Sequence, residues 1–419
     1  MTATNRRFAE EGQSWPEVEA AMSEVRRDDK VWNDRRNLRA AYDAGDDVIR
    51  VANEAFNMHM GDNAIFRSSS YPSLLRYEAD VVDMILEMLN APQGAAGSIT
   101  TGGTESIVMA VKAARNWARD HRPMVERPEI VVPRTAHPAF DKSAEMLGLS
   151  VVRMTESREF RADVDAMSRA INENTIMLVG SAPPYPHAMV DPISKIATLA
   201  GKHGLWFHVD ACIGGFFLPF AKELGHPMPA FDFTLDSVNS ISVDLHKYGY
   251  ANRGVSTLLL RDVELMAYHR FSWDDWPAGR YTTTAIAGSR NAGALASAWA
   301  VMRYLGCAGY RERVAKILAV KERMIESINA INELTVWGEP HGGHFSFGSE
   351  QIDIFAVSDG MAELGWLSGL GTEPKSMILI LNAQHEAIVE DYLRDLADTV
   401  VAVRSGRIES RSGDAVYIG

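Results

Sequence analysis

The chain has 419 residues, 46% hydrophobic and 23% charged, enough apolar material for one large or two medium cores, which excludes a disordered or fibrous protein. Its 42 Lys and Arg against 55 Asp and Glu give a formal charge of -13. This balance disfavours non-specific attraction to nucleic acid or to an anionic membrane surface, and it suits an enzyme acting on a small molecule. Two cysteines, Cys212 and Cys307, are too few for a disulfide framework and fit a reducing cytoplasm.

Residues 1–12 are polar, with Arg6, Arg7, Glu10 and Glu11 and no apolar run, so they do not read as a signal peptide. Ser14 with Glu17 three residues on, then Val18, Met22 and Val25, predicts a capped helix in an N-terminal helical arm over residues 1–60. From about residue 78, long helical stretches alternate with short β-branched runs at 129–133, 150–153, 175–180 and 205–210. That alternation predicts a mostly parallel sheet covered by helices on both faces. Two further runs, 240–244 and 254–260, have no helix between them and predict that the sheet ends in an antiparallel return. The large domain is expected over residues 61–305. Beyond it, a helix over 310–332, strands at 333–338, 344–348, 352–357 and 376–381, and helices at 358–364 and 387–404 predict a smaller C-terminal α+β domain over 306–419. No apolar run reaches the roughly 18 to 20 residues of a spanning helix; the best, 295–305, carries Arg303. No integral membrane segment is therefore expected.

Four short segments carry chemistry. Thr100-Thr101-Gly102-Gly103-Thr104-Glu105-Ser106 precedes an amphipathic stretch over 107–118. Glycines and hydroxyl residues at a helix start let backbone N–H groups approach a phosphate, with the helix dipole adding attraction. A plain glycine turn with Thr104 as N-cap fits that segment alone equally well. It is neither GxGxxG nor Walker A, so a dinucleotide or nucleoside triphosphate has no direct support. Phe207-His208-Val209-Asp210-Ala211-Cys212 ends a hydrophobic strand in a carboxylate, where open α/β sheets bind ligands and where low dielectric calls for a cation such as a protonated pyridine nitrogen. Capping the next helix is the simpler alternative. In Ser242-Val243-Asp244-Leu245-His246-Lys247-Tyr248, Lys247 follows a β run. There it is expected to be desolvated, to lose its proton more readily and to form an imine with an aldehyde, although most such lysines are solvated. In His137-Pro138-Ala139-Phe140 the proline holds the histidine extended, so its ring can lie flat on an aromatic ligand; alone it reads more simply as a hydrogen-bonded loop residue.

Together and in this order, phosphate cradle, stacking histidine, ring-nitrogen aspartate and imine lysine are the parts of a pyridoxal 5'-phosphate (PLP) site. The sequence resembles the group II PLP-dependent decarboxylase family on fold type I, and within it the soluble bacterial sphingosine-1-phosphate lyase-like branch. The matching segments are 101–107, 181–187, 208–216, 246–250 and 287–290, the likeness runs from about Pro72 to the C-terminal helix, and Ala415-Val416-Tyr417 looks like that branch's ending. The resemblance implies an aspartate aminotransferase-like α/β fold, with a mostly parallel seven-stranded sheet, helices on both faces and a smaller C-terminal α+β domain. It implies that Lys247 holds the cofactor and shuttles protons, that Asp210 keeps the pyridine nitrogen protonated, and that His137 stacks on the ring. Gly103, Thr104 and His246 would bind the phosphate, and Ser181 would approach the oxygen side of the ring. Gly288 and Ser289 would reach the same phosphate from the neighbouring subunit, which implies a homodimer with shared active sites. Cys212 reads as packing, no metal is expected, and the protein is expected in the cytoplasm.

PLP labilises whichever Cα bond lies perpendicular to its ring, so substrate contacts decide the reaction. The resemblance implies retro-aldol cleavage of a phosphorylated long-chain base to a fatty aldehyde and phosphoethanolamine. L-amino acid decarboxylation is the alternative, and a PLP fold without catalysis is disfavoured by intact Lys247, Asp210 and His137. The sequence departs from the lyase pattern at the anion pocket, where that branch resembles Asn-Pro-Leu-His-Pro. An ungapped alignment on 72–78 places Ala64 at the Asn and Arg67 at the His, whereas an insertion within 61–69 makes Asn57 and His59 the counterparts. Arg253 stands where the branch has a lysine. Arginines clamp phosphate or carboxylate alike, so a small substrate with an anionic group is expected and its anion is left open. The aromatic segment 268–276 and Tyr281 are candidates for an apolar channel, or are ordinary lid and interface residues.

Overall fold

The computed structural model describes residues 10–39, 41–155, 157 and 159–411; the 415–417 ending lies outside the described residues. The chain forms two compact units, Met1–Asp34 and Arg35–Gly419. The first carries the helix Trp15–Val25, whose start is fixed as the sequence predicts: the Glu17 carboxylate accepts from Ser14 N at 2.8 Å and from Ser14 Oγ at 2.7 Å.

The second unit is built on seven strands: β1 Ala96–Thr100, β2 Glu129–Pro133, β3 Ser150–Met154, β4 Thr175–Ser181, β5 Trp206–Asp210, β6 Ser240–Asp244 and β7 Ser256–Leu260. Their order is β1-β7-β6-β5-β4-β2-β3. The β2–β3, β2–β4, β4–β5 and β5–β6 pairs are parallel, and β7 is antiparallel to both β6 and β1. Every residue of β4, β5, β6 and β7 is buried. Strands covered on both faces read as continuous apolar runs, and each fully buried Val, Ile, Leu or Phe stabilises the core by about 1.5–3 kcal/mol. The antiparallel return does not end the sheet. β1 lies outside β7, with Ala96 opposite Leu260 and Thr100 opposite Ser256. The sequence of β1, Ala-Gly-Ser-Ile-Thr, has one β-branched apolar residue and no alternation, so its pairing with β7 decides its conformation.

The hairpin of β8 Phe271–Trp273 and β9 Tyr281–Thr283 follows. The helix Gly293–Asn329 starts well before residue 310 and is interrupted at Gly306, where φ +52 and ψ -178 leave helical geometry and suit a residue without a side chain. Residues 295–305 are therefore helical, and this helix packs on the helices Asp46–Met58 and Pro72–Met88. A second, antiparallel sheet joins β10 Thr335–Val336, β11 His344–Gly348, β12 Gly369–Thr372 and β13 Lys375–Ile380 in the order β10-β11-β13-β12. The expected strand at 352–357 is instead part of the helix Ile354–Glu363, capped by the Asp353 carboxylate accepting from Phe355 N at 3.0 Å. Its buried Ile354, Val357 and Met361 repeat at intervals of three and four, a helical period hidden inside a run rich in β-branched and aromatic residues. Residues 36–39 and 41–43 lie beside this second sheet: Leu38 N donates to Leu367 O at 2.9 Å and Ile380 N to Leu38 O at 2.8 Å. No described helix is long and apolar enough to cross a membrane.

Candidate active site at the carboxyl edge of the large sheet

The register places the chemistry-bearing residues in two adjacent rows. Ser181 at the end of β4 faces Asp210 at the end of β5, and Asp210 faces Ser242 on β6. Asp244, at the end of β6, faces Ser256 on β7, which in turn faces Thr100 at the end of β1. Parallel strands expose their carboxyl ends at one side of the sheet, where the loops leave room for a ligand. Asp210 is 8% exposed. Its Oδ1 accepts from Cys212 N at 3.1 Å and Ser242 Oγ at 3.4 Å, which leaves Oδ2 for a cation. Behind it, His208 lies between Ser240 Oγ at 2.9 Å and Ser242 Oγ at 3.3 Å, and burial holds its pKa down to about 4. Ser181 N donates to Asp191 at 2.8 Å, while Ser181 Oγ is buried without a hydrogen-bond partner.

Lys247 follows β6 in the turn back to β7. Its Nζ is 2.9 Å from Asp244 Oδ2, and the Asp244 side chain is 2% exposed. Burial favours the neutral amine, but the adjacent carboxylate outweighs it, and the Lys247 pKa is raised well above its ordinary value. The expectation that burial makes Lys247 lose its proton more readily is thus reversed by its neighbour. Asp244 is a functional candidate beyond those the motifs single out, and its signal in the sequence is a carboxylate three residues before the lysine at a strand end. His246 Nδ1 donates to Val255 O at 2.7 Å and its Nε2 lies 3.7 Å from Asp244; burial lowers its pKa. His137 is exposed, and its Nδ1 accepts from Ala139 N at 3.1 Å, which puts the ring proton on Nε2 when the ring is neutral. Desolvation lowers its pKa, countered by Asp210. Tyr42, brought in by the 41–43 segment, stands edge-on to Tyr248 with ring centroids 5.0 Å apart. Burial pushes its phenol up to about 12, and the Lys247 charge opposes this rise.

The glycine turn closes on the same spot. A Cβ on Gly103 would lie 2.8 and 2.9 Å from the two Asp244 oxygens and 3.0 Å from Cys212 Sγ, so Gly103 is required by the buried carboxylate beneath the turn. Cys212 is buried, and burial pushes its thiol up; it packs and is not a thiolate at neutral pH. Glu105, also buried, ties the turn together: its Oε2 accepts from Thr101 N and Oγ1, both at 2.6 Å, and its Oε1 from Ile286 N at 2.5 Å. This carboxylate joins the start of the helix Gly103–His121 to the loop carrying Gly288 and Ser289, a connection between distant segments that sequence spacing does not reveal.

A model of the "Pyridoxal-dependent decarboxylase conserved domain" matches residues 3–349. The chain belongs to the pyridoxal-dependent decarboxylase family. It is 39% identical over 397 residues to the sphingosine-1-phosphate lyase of Arabidopsis thaliana, covering 93% of this chain and 72% of that protein. It is 32% identical over 349 residues to a probable L-tyrosine/L-aspartate decarboxylase of Methanothermobacter thermautotrophicus, covering 83% and 92%. Among solved structures it is similar to the Burkholderia pseudomallei sphingosine-1-phosphate lyase Bpss2021, with a TM-score of 0.90 and 35% identity over 96% of this chain and 94% of that one. The fold is also that of Lactobacillus brevis glutamate decarboxylase, with a TM-score of 0.83 at 20% identity over 95% and 94%.

The residues of this chain fit the family's cofactor. The rows offer an open carboxylate oxygen on Asp210, an unpartnered hydroxyl on Ser181, a single amine at Lys247 and a helix N-terminus reached through a glycine turn. The anion-pocket candidates are arranged differently. Arg67 Nε is 2.9 Å from Glu78 Oε2, and His59 Nδ1 is 2.8 Å from Asp62 Oδ2. Ala64 is buried. Asn63, passed over by the ungapped alignment, caps the turn Ala64–Phe66. Its Nδ2 donates to Ser289 Oγ at 2.9 Å, and its Oδ1 accepts from Arg290 N at 3.3 Å. Arg290 feels the charges of Arg67, Glu78 and Glu105, and burial lowers its pKa. Arg253 is exposed beside His246 and Tyr42, whose pKa values its charge lowers. Tyr281 places its hydroxyl against Gly288, 3.6 Å from the position of an added Cβ. Phe271, Trp273 and Trp276 of the 268–276 segment are about half exposed.

Proposed function

We propose that this protein is a PLP-dependent carbon–carbon lyase that cleaves a phosphorylated long-chain base into a fatty aldehyde and phosphoethanolamine, working as a cytoplasmic homodimer. The observation that carries this reading is the 35% identity to a bacterial sphingosine-1-phosphate lyase over nearly the whole of both chains, joined to the strand-end rows of Ser181, Asp210, Asp244 and Lys247. Bound PLP supplies an electron sink for the pair released when a bond at Cα breaks. Lys247 holds the cofactor's aldehyde carbon and moves protons at the substrate; Asp210 Oδ2 keeps the ring nitrogen protonated, with His208 and Ser242 fixing the carboxylate from behind. His137 would cover the ring, and the unpartnered Ser181 Oγ would donate to it. Gly103, Thr104 and His246 hold the phosphate. Gly288 and Ser289 reach the phosphate of the neighbouring subunit, and Glu105 and Asn63 set that loop's position. The half-exposed Phe271, Trp273, Trp276 and Ile286 around this loop suit burial against a second copy of the chain. Arg253, with Arg67 or His59 and Tyr281, receives the substrate's anionic end. The arm 1–60, large domain 61–305 and small domain 306–419 are the working divisions of this reading.

A second reading, L-amino acid decarboxylation, is favoured by the archaeal relative and by the pairing of Arg67 with Glu78, which leaves less positive charge for a phosphate dianion. Incubation of PLP-loaded protein with dihydrosphingosine 1-phosphate, alongside a panel of L-amino acids, separates the two. Mass spectrometry should find fatty aldehyde and phosphoethanolamine. Carbon dioxide from one amino acid, without aldehyde, replaces the lyase by the decarboxylase.

A further inference from the structure

We infer that Asp244 is the counter-ion of Lys247, a positioning residue that aims the amine and holds it charged in the buried site. The inference rests on the reading of Lys247 as the residue that holds the cofactor. Three independent observations meet at this carboxylate. Its Oδ2 is 2.9 Å from Lys247 Nζ at 2% side-chain exposure. Its Oδ1 is buried with no hydrogen-bond partner, an arrangement that costs free energy unless a function retains it. The glycine turn leaves out a side chain just where Asp244 sits, since a Cβ on Gly103 would meet both carboxylate oxygens within 3 Å.

The chemistry follows from charge balance in low dielectric. Burial alone favours the neutral amine, and the Asp244 carboxylate outweighs it, so the pair stays ionised and Asp244 holds Nζ charged and in place. The other groups facing the pair do not compete for the proton. Cys212 and Tyr42 are pushed up by burial and stay protonated, while His246 and His137 are pushed down and stay neutral. Arg253 contributes charge at His246 and Tyr42.

The test is pulse acetylation of the full-length chain after removal of its cofactor, read by mass spectrometry against pH, with exposed Lys195 as internal reference. Burial alone would make Lys247 titrate below Lys195, and the Asp244 pair makes it titrate above. In the wild type the Lys247 midpoint should lie higher than that of Lys195; a lower midpoint overturns the inference without any variant. In Asp244→Asn the midpoint should fall, with acetylation at pH 8 faster by about tenfold or more relative to Lys195, and Asp244→Glu should restore the wild-type order. An unchanged profile in Asp244→Asn contradicts the role. The same preparations, given PLP back, report separately on the underlying reading: yellow colour absent from the wild type would remove Lys247 as the holding residue, whereas the acetylation profile judges the ion pair.

Discussion

The two ends of the proposed site are built in opposite ways. At the sheet edge, Asp210 and Asp244 terminate fully buried strands, and Ser181 Oγ and Asp244 Oδ1 have no partner. At the anion end, His59, Asn63 and Arg67 lie on a helix terminus and a three-residue turn, half-buried, with His59 and Arg67 already paired to Asp62 and Glu78. The edge holds chemistry that a rigid sheet can keep in place and leaves polar atoms open for a ligand. The anion end holds charges in reserve on irregular backbone, where small sequence changes alter which anion fits. In the proposed reading, reaction machinery and substrate choice thus sit on different scaffolds, a buried sheet edge and irregular backbone.

Variants should separate the two ends. Lys247→Ala should abolish the yellow colour of the loaded protein and lower turnover by at least about 1000-fold, with sedimentation unchanged from the wild type; retained activity would break the assignment of the edge. Asp210→Ala should lower kcat by about 100-fold or more and weaken PLP retention, measured by dialysis. At the other end, Arg67→Ala should raise KM for a phosphorylated substrate about tenfold, the weight of one charged hydrogen bond in a partly exposed pair, and leave PLP affinity as it was. Arg253→Ala should likewise raise KM more than it disturbs cofactor binding, and an unchanged KM removes it from the pocket.

The smallest effect concerns acid. His208 titrates at 6.5 when unfolded and near 4 when buried behind Asp210. Between those values the unfolded chain binds more protons, so stability is full above about pH 6.5 and is lost as the pH falls towards 4. The loss is at most about 1.4 kcal/mol per pH unit from this residue. His208→Gln should flatten that slope in urea titrations at successive pH values.

The sequence showed the edge better than the rest, for a physical reason. β2, β4 and β5 are mostly apolar runs and β6 alternates Ile241 and Val243 with serines, and Asp210, His246 and Lys247 stand at or just beyond the ends of β5 and β6, so local pattern and site coincide. β1 and β12 lack such runs and exist through their pairing with β7 and β13. The 352–357 run carries the residues of a strand and the period of a helix, and the Asp353 cap decides for the helix. Glu105 with Ile286, Asn63 with Ser289, and Tyr42 with Lys247 join residues far apart in the chain, and only the folded topology brings them together. The Lys247 shift runs opposite to what burial alone implies, because the Asp244 carboxylate stands beside the amine.

The most direct test of the edge as the cofactor site is borohydride reduction of the PLP-loaded protein followed by peptide mapping. A single phosphopyridoxyl group should appear on Lys247, and Asp210→Ala should reduce its yield without moving it. Modification of a different lysine, or of none, would contradict the assignment.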